Sequence, residues 1–210
     1  MIKIHKNILN EQMWKLYSTF AEFKDDFYLA GGTGLALLMG HRMSIDFDFF
    51  SDKPIKKTLI KKIETLFPKY AKQVILNSSA ELTIIIGQTK ITFLHYPFKK
   101  ILPLEYDNNI SILSAKEILA SKAYSIGRRG VYKDYVDLYY GLIENITTLS
   151  EIIKIASEKY LTAFNDRLFL EQLLYLEEIE QTEIIMIDHS LPSKKEMADF
   201  FSKKIAEIKI

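Results

Sequence analysis

Cysteine is absent from the 210 residues. Its absence excludes a disulfide framework, a cysteine-ligated zinc and a cysteine nucleophile, and leaves the compartment open. Charge of one sign is also lacking: 28 Lys plus Arg stand against 27 Asp plus Glu, a net charge of +1. A basic coat over the whole molecule is thereby excluded, although a local basic patch is not. Long apolar runs are missing. The run Leu82-Thr83-Ile84-Ile85-Ile86 is far shorter than the ~18–20 residues of a membrane-spanning helix. The opening MIKIHKNILNEQ has no apolar core of a secretory leader, so the expectation is a cytoplasmic protein with no membrane partner. The four histidines, His5, His41, His95 and His189, are scattered and suggest no metal cluster. There is no G-x-x-x-x-G-K-[ST] phosphate loop, no G-x-S-x-G elbow and no H-E-x-x-H. The dinucleotide fingerprint fails at Leu37, where helix–strand packing requires Gly or Ala.

The composition is that of an ordinary folded chain, 48% hydrophobic and 26% charged. Met13, Leu16, Tyr17, Phe20 and Phe23 have helical spacing after a cap at Asn10, predicting a helix over 10–24. Phe27-Tyr28-Leu29-Ala30 reads as a buried strand that stops at a Gly31-Gly32 turn, with a short helix over 34–39. Strands are predicted at 46–50, 73–77, 81–86 and 90–96, the last two joined by Gly87-Gln88-Thr89, and a lysine-rich helix at 55–66. From residue 114 the pattern is helical. Ser114 with Glu117, Thr148 with Glu151, and Ser193 with Glu196 have the capping-box form. With the stretches from Lys133 and Asn165, about five helices follow. The expected fold class is α+β, with a mixed core over 1–110 and a helical region over 111–210. The break is placed near Asp107-Asn108-Asn109.

Chemistry concentrates in residues 28–50. Asp46 and Asp48 lie two apart on a strand, so both project from one face while Phe47 and Phe49 point to the other. A strand running through Gly31-Gly32-Thr33 into a helix offers close backbone approach and free N–H groups to an anion. Together they suit a magnesium–triphosphate complex, since Mg²⁺ takes a few carboxylate oxygens plus substrate phosphates. Taken singly, a glycine pair after a strand is usually a turn, and an Asp-x-Asp is often solvated alternation.

In the helical half, Ala115, Leu119, Lys122 and Ile126 share one stripe, so Lys122 either snorkels to water or meets a buried anion. A helix running on to Arg129 would carry that cation two turns further along the same side. Asp134 and Asp137, three apart, share a face near a helix start. Seven lysines in 53–72 (Lys53, Lys56, Lys57, Lys61, Lys62, Lys69, Lys72) face one acid, Glu64. They are read either as a solvated helix face or as an RNA-facing one. Residues 161–190 reverse the balance, with Arg167 against seven acids.

Leu29-Ala30-Gly31-Gly32-Thr33-Gly34-Leu35-Ala36-Leu37, then Gly40-His41-Arg42 and Ser44-Ile45-Asp46-Phe47-Asp48-Phe49-Phe50, resembles the first two motifs of the AbiEii/AbiGii nucleotidyltransferase toxins, which include the MenT toxins. Lys122 with Arg128-Arg129, then Lys133-Asp134 and Asp137-Leu138-Tyr139, resembles the third and fourth. Weaker likeness runs to Leu191-Pro192. The resemblance implies a polymerase-β-like core and a helical region that completes the active site. It implies transfer of a nucleoside monophosphate from an NTP to an RNA acceptor, probed first as the tRNA 3′ end, with release of pyrophosphate. It assigns nucleotide binding to Gly31, Gly32, Thr33, Arg42, Ser44, Lys122 and Arg129, and Mg²⁺ or Mn²⁺ to Asp46 and Asp48. Lys122 would neutralise phosphate charge, Asp134 would act on the acceptor hydroxyl, and a separately encoded antitoxin would be a partner. The wider superfamily carries a third carboxylate on a following strand where this chain has Thr92. Either Asp134 or a water compensates, or catalysis is weak. A binding module without turnover, or a transferase with a protein or small-molecule acceptor, therefore stays open.

Overall fold

A computed structural model describes residues 3–208. The chain forms two compact units. One runs up to Lys99 and includes Pro103–Leu113; the other takes Lys100–Leu102 and everything from Ser114 onward.

The first unit is built on a seven-stranded mixed sheet. Its strands are β1 (Tyr28–Ala30), β2 (Asp46–Ser51), β3 (Lys72–Asn77), β4 (Glu81–Ile86), β5 (Thr89–His95), β6 (Glu105–Asp107) and β7 (Ile110–Ile112), in the order β3-β4-β5-β2-β1-β7-β6. Its helices are α1 (Glu11–Tyr17), α2 (Gly31–Met39) and α3 (Leu59–Leu66). Asn10 caps α1 by accepting from the Met13 amide, and the predicted helix continues past Tyr17 as a 3-10 segment, Ser18–Phe23. That segment delivers Phe20 and Phe23 to one face of the sheet. Phe20 meets Phe47 at 4.7 Å and Phe49 at 5.0 Å between ring centres, and Phe23 meets Phe93 at 5.0 Å. The alternation read in β2 is the observed one: Phe47, Phe49 and Ser51 are buried, while Asp46 and Asp48 are half-buried. Each aromatic ring buried in this way contributes on the order of 2–3 kcal/mol. The packed face thus fixes the register of β2, because a slip of one residue would bury both carboxylates.

Two elements depart from the expectation. Gly31 and Gly32 are not a turn ahead of a helix at 34–39; they are the first residues of α2 itself. Asp107-Asn108-Asn109 is not itself the break, which falls after Leu113. It closes the β6–β7 hairpin, with positive φ at Asn108 (46°) and Asn109 (68°), a conformation asparagine tolerates in tight hairpin turns. The lysine-rich stretch forms α3 only from Leu59, with Leu59 and Ile63 buried. Three of its lysines are used locally: Lys56 pairs with Asp26 at 2.8 Å, Lys62 bonds the Glu22 carbonyl and Lys72 bonds the Tyr70 carbonyl at 2.8 Å.

The second unit holds five α-helices among the described residues: α4 (Ala115–Ile126), α5 (Tyr132–Ile143), α6 (Leu149–Tyr160), α7 (Asp166–Leu174) and α8 (Lys194–Ala206). Ser114, Thr148 and Ser193 each accept from the amide of the glutamate three residues on, as the capping boxes require. Glu117 is fully buried. It pairs with Lys159 at 2.5 Å and accepts from the amides of Ile101 (3.1 Å) and Leu102 (2.9 Å), which fastens that short segment to α4. Burial depresses the Lys159 pKa, a shift that the Glu117 carboxylate opposes. Tyr139 donates to Glu196 at 3.0 Å and ties α5 to α8; burial, with that acceptor, pushes its hydroxyl up to about 12.

Candidate active site

Antiparallel pairing of β1 with β2 sets Ala30 opposite Asp48, so the chain enters α2 beside that carboxylate. Gly31 has φ +63°, and a Cβ there would overlap the Asp48 Oδ2 atom. The glycine serves two needs at once, a left-handed backbone and room for the carboxylate. Gly32 is closely approached as well: its Cβ would lie 2.6 Å from a terminal nitrogen of Arg42. Arg42 is buried and donates to the Met43 carbonyl at 3.1 Å. Thr33 is buried, lies 2.5 Å from the Ser44 hydroxyl and donates to the Asp46 carbonyl. The first turn of α2 is therefore bonded to the segment that leads into β2. Gly31, Gly32, Thr33, Arg42, Ser44, Asp46 and Asp48 are brought together by backbone pairing and side-chain contacts within one unit.

Parallel pairing of β2 with β5 adds a residue that sequence reasoning missed. Asp46 stands opposite Lys90 and Asp48 opposite Thr92. The Lys90 ammonium lies 3.5 Å from Asp46 Oδ2. Its signal was available only through register: Lys90 is two residues before Thr92 and shares its face, but nothing local says that β5 is the neighbour of β2.

The residues suit a divalent cation by their chemistry. Two aspartates supply hard carboxylate oxygens on one face, beside helix-start N–H groups suited to phosphate oxygens. Among the described residues no group of three His, Cys, Asp or Glu is placed to hold a metal. An ion here would be completed by water and substrate oxygens, as Mg²⁺ or Mn²⁺ accepts.

In the second unit, Lys122 does not snorkel. Its ammonium is buried, 2.6 Å from Asp134 Oδ1 and 2.9 Å from Asp137 Oδ2. Gly141 makes this approach of α5 to α4 compatible with packing, since a Cβ there would strike Leu119. The cationic strip toward Arg129 does not form. Helix α4 ends at Ile126 with Gly127 as its C-cap, and Arg129 is exposed in the connection to α5. The neighbouring Arg128 stacks on Tyr124, 4.4 Å from the ring centre.

The family model described as nucleotidyl transferase AbiEii toxin, type IV TA system, matches residues 14–108, which span β1 to β6 and both aspartates. The chain is also 30% identical over 188 residues to the protein aq_aa25 of Aquifex aeolicus, covering 87% of this chain and 88% of that one. The chain belongs to the AbiEii nucleotidyltransferase toxin family. Membership in a type IV toxin–antitoxin family implies a cognate antitoxin. Solved structures with the same fold include MenT4, the nucleotidyltransferase toxin Rv2826c of Mycobacterium tuberculosis H37Rv, with a TM-score of 0.60 at 11% identity, covering 93% of this chain and 83% of that one. JHP933 of Helicobacter pylori has a TM-score of 0.55 at 13% identity, covering 94% and 97%. The AbiEii fold here is thus the α+β, polymerase-β-like arrangement with a helical C-terminal region. No helix among the described residues is long and apolar enough to cross a membrane.

Membership gives the glycine pair a sharp consequence. Gly31→Ala removes no charged group, yet its methyl must displace the Asp48 carboxylate and strain a left-handed residue. Nucleotidyl transfer is expected to fall about a hundredfold, the scale of a misplaced electrostatic group. Steady-state rates of the purified variant check this, with a thermal melt to separate misplacement from unfolding.

Proposed function

We propose that this AbiEii toxin transfers a nucleoside monophosphate from an NTP to an RNA acceptor, the 3′ end of tRNA being the first to test, and releases pyrophosphate. The observation that carries the reading is the contact of the Asp48 carboxylate with Gly31 at the start of α2, with Asp46 two residues away on the same face. In this reading the triphosphate lies on the amides of Gly31, Gly32 and Thr33, with Arg42 beside them and Ser44 bracing Thr33. Asp46 and Asp48 hold Mg²⁺ or Mn²⁺, which, when bound, neutralises charge on the transferring phosphoryl group. The chain's own part is positioning and preorganised charge, which supply most of the rate in phosphoryl chemistry. For Lys122, Asp134 and Arg129 the family resemblance supplies the roles: Lys122 and Arg129 bind nucleotide, and Asp134 acts on the acceptor hydroxyl. The partners are the NTP, the RNA and an antitoxin, and the compartment proposed is the cytoplasm.

The test is incubation of the protein with total RNA and each α-labelled NTP separately, resolved on a denaturing gel. Label is expected in small RNA with at least one NTP, dependent on Mg²⁺ or Mn²⁺ and abolished by EDTA. No label with any NTP contradicts the reading. Thr92, opposite Asp48 where the superfamily has an acid, favours a second reading, a nucleotide-binding module without turnover. NTP binding by calorimetry with no pyrophosphate release would establish that alternative.

A further inference from the structure

An open cleft of about 990 Å³ lies against Asp46 in the first unit, bordered by Lys15, Ile45, Tyr70, Gln88 and Lys90. Of its lining, the nucleotide-binding arrangement uses only Asp46. We propose that this cleft is the acceptor subsite, that it takes the end of a single-stranded RNA, and that Lys90 is its phosphate-binding cation. The inference rests on the reading of the α2 start at Gly31 as the triphosphate site.

Position comes first. Strand β2, which carries both aspartates, lies between β1 and β5 in the sheet. Gly31, the first residue of α2, follows β1 beside Asp48; Lys90 is on β5, beside Asp46. Displacement at phosphorus runs with the attacking and leaving oxygens roughly opposite each other. The acceptor oxygen forms its bond to the α-phosphorus as the bond to the β-phosphate oxygen breaks, and the electron pair leaves with pyrophosphate. With the leaving group on the β1 side of the carboxylates, the attacker arrives from the β5 side, where the cleft is.

The lining has the chemistry of a nucleic-acid end. Lys90 is half-exposed; Lys15 also borders the cleft, paired at 2.6 Å with Glu11, which lines it too. Tyr70 is half-buried, so its ring is held while part of it remains open for a base to stack on. Gln88 is exposed at the β4–β5 turn, and Ile45, at 76% exposure, supplies an apolar wall directly before Asp46. Tyr70 also joins the cleft to the lysine-rich stretch, whose Lys69 and Lys72 flank it in sequence. Lys90, a ring and an amide around an open trough fit a phosphodiester chain with unstacked bases. The Lys90 ammonium lies 3.5 Å from Asp46. With Asp46 holding a divalent ion, Lys90 would be available to an acceptor phosphate.

The experiment measures two affinities of the folded protein in Mg²⁺: fluorescein-labelled bulk transfer RNA by anisotropy, and a non-hydrolysable NTP by calorimetry. Lys90→Ala and Tyr70→Ala are each expected to weaken RNA binding about tenfold and leave NTP affinity within about twofold. Lys90→Ala should also lower the slope of log affinity against log salt by about 1, which a merely structural role would not do. Lys90→Arg should keep both the affinity and the slope. Unchanged RNA binding in both variants overturns the proposal, as does a loss of NTP affinity in step with RNA affinity, which would give the cleft to the nucleotide. Label entering a protein in RNA-free extract also overturns it. Failure of the underlying reading is seen separately, as the absence of labelled RNA with the wild-type protein.

Discussion

Asp48→Asn is expected to reduce nucleotidyl transfer by about a hundred- to a thousandfold, with the fold intact. The side chain is isosteric, so its fit over Gly31 is kept and only the charge is lost. The carboxylate's partners in the reading are a divalent ion and the phosphates it carries, both of which respond to full charge rather than to hydrogen-bonding shape. The rate of label transfer from an NTP measures the effect, and the melting temperature should stay within a few degrees of wild type. A variant that transfers at the wild-type rate would remove Asp48 from the chemistry.

Lys122→Ala is expected to act on stability as strongly as on activity. The ammonium sits among Asp134 and Asp137, and the Asp137 side chain is fully buried. Removing one partner of a buried ionic cluster costs about 3–5 kcal/mol, because the carboxylates keep their desolvation penalty and lose this cation. Urea unfolding of the variant should show a loss of that order. The triple variant Lys122→Met, Asp134→Asn, Asp137→Asn removes the charges together and should regain most of the loss, since neutral replacement of a buried ionic group is often tolerated. Transfer should stay lost in the triple variant. If it returned with stability, the cluster would be scaffolding alone.

The legible parts of this molecule were those written locally. Three capping boxes placed three helix starts, because Ser or Thr and the amide three residues later must meet within one turn. The Asp46-Phe47-Asp48-Phe49 alternation placed both carboxylates on one face of one strand. Features that depend on distant pairing were not legible. The β6 and β7 strands have three residues each, too few for a periodic signal, and their Asn108-Asn109 turn looks like a linker in isolation. Lys122 stands in an apolar stripe, and the stripe alone could not say whether water or a carboxylate met it; α5 answers that with Asp134 and Asp137. Arg129 followed Lys122 by helical spacing, but the helix stops first. Lys90 joined the site only because β5 lies parallel to β2 in a register that sets it opposite Asp46.

The most direct measurement is a crystal structure of the protein with Mn²⁺ and a non-hydrolysable NTP, read by the anomalous signal of the metal. The account predicts a manganese peak coordinated by Asp46 and Asp48, with the distal phosphates on the amides of Gly31, Gly32 and Thr33. A bound nucleotide whose metal and phosphates lie away from these residues would contradict it.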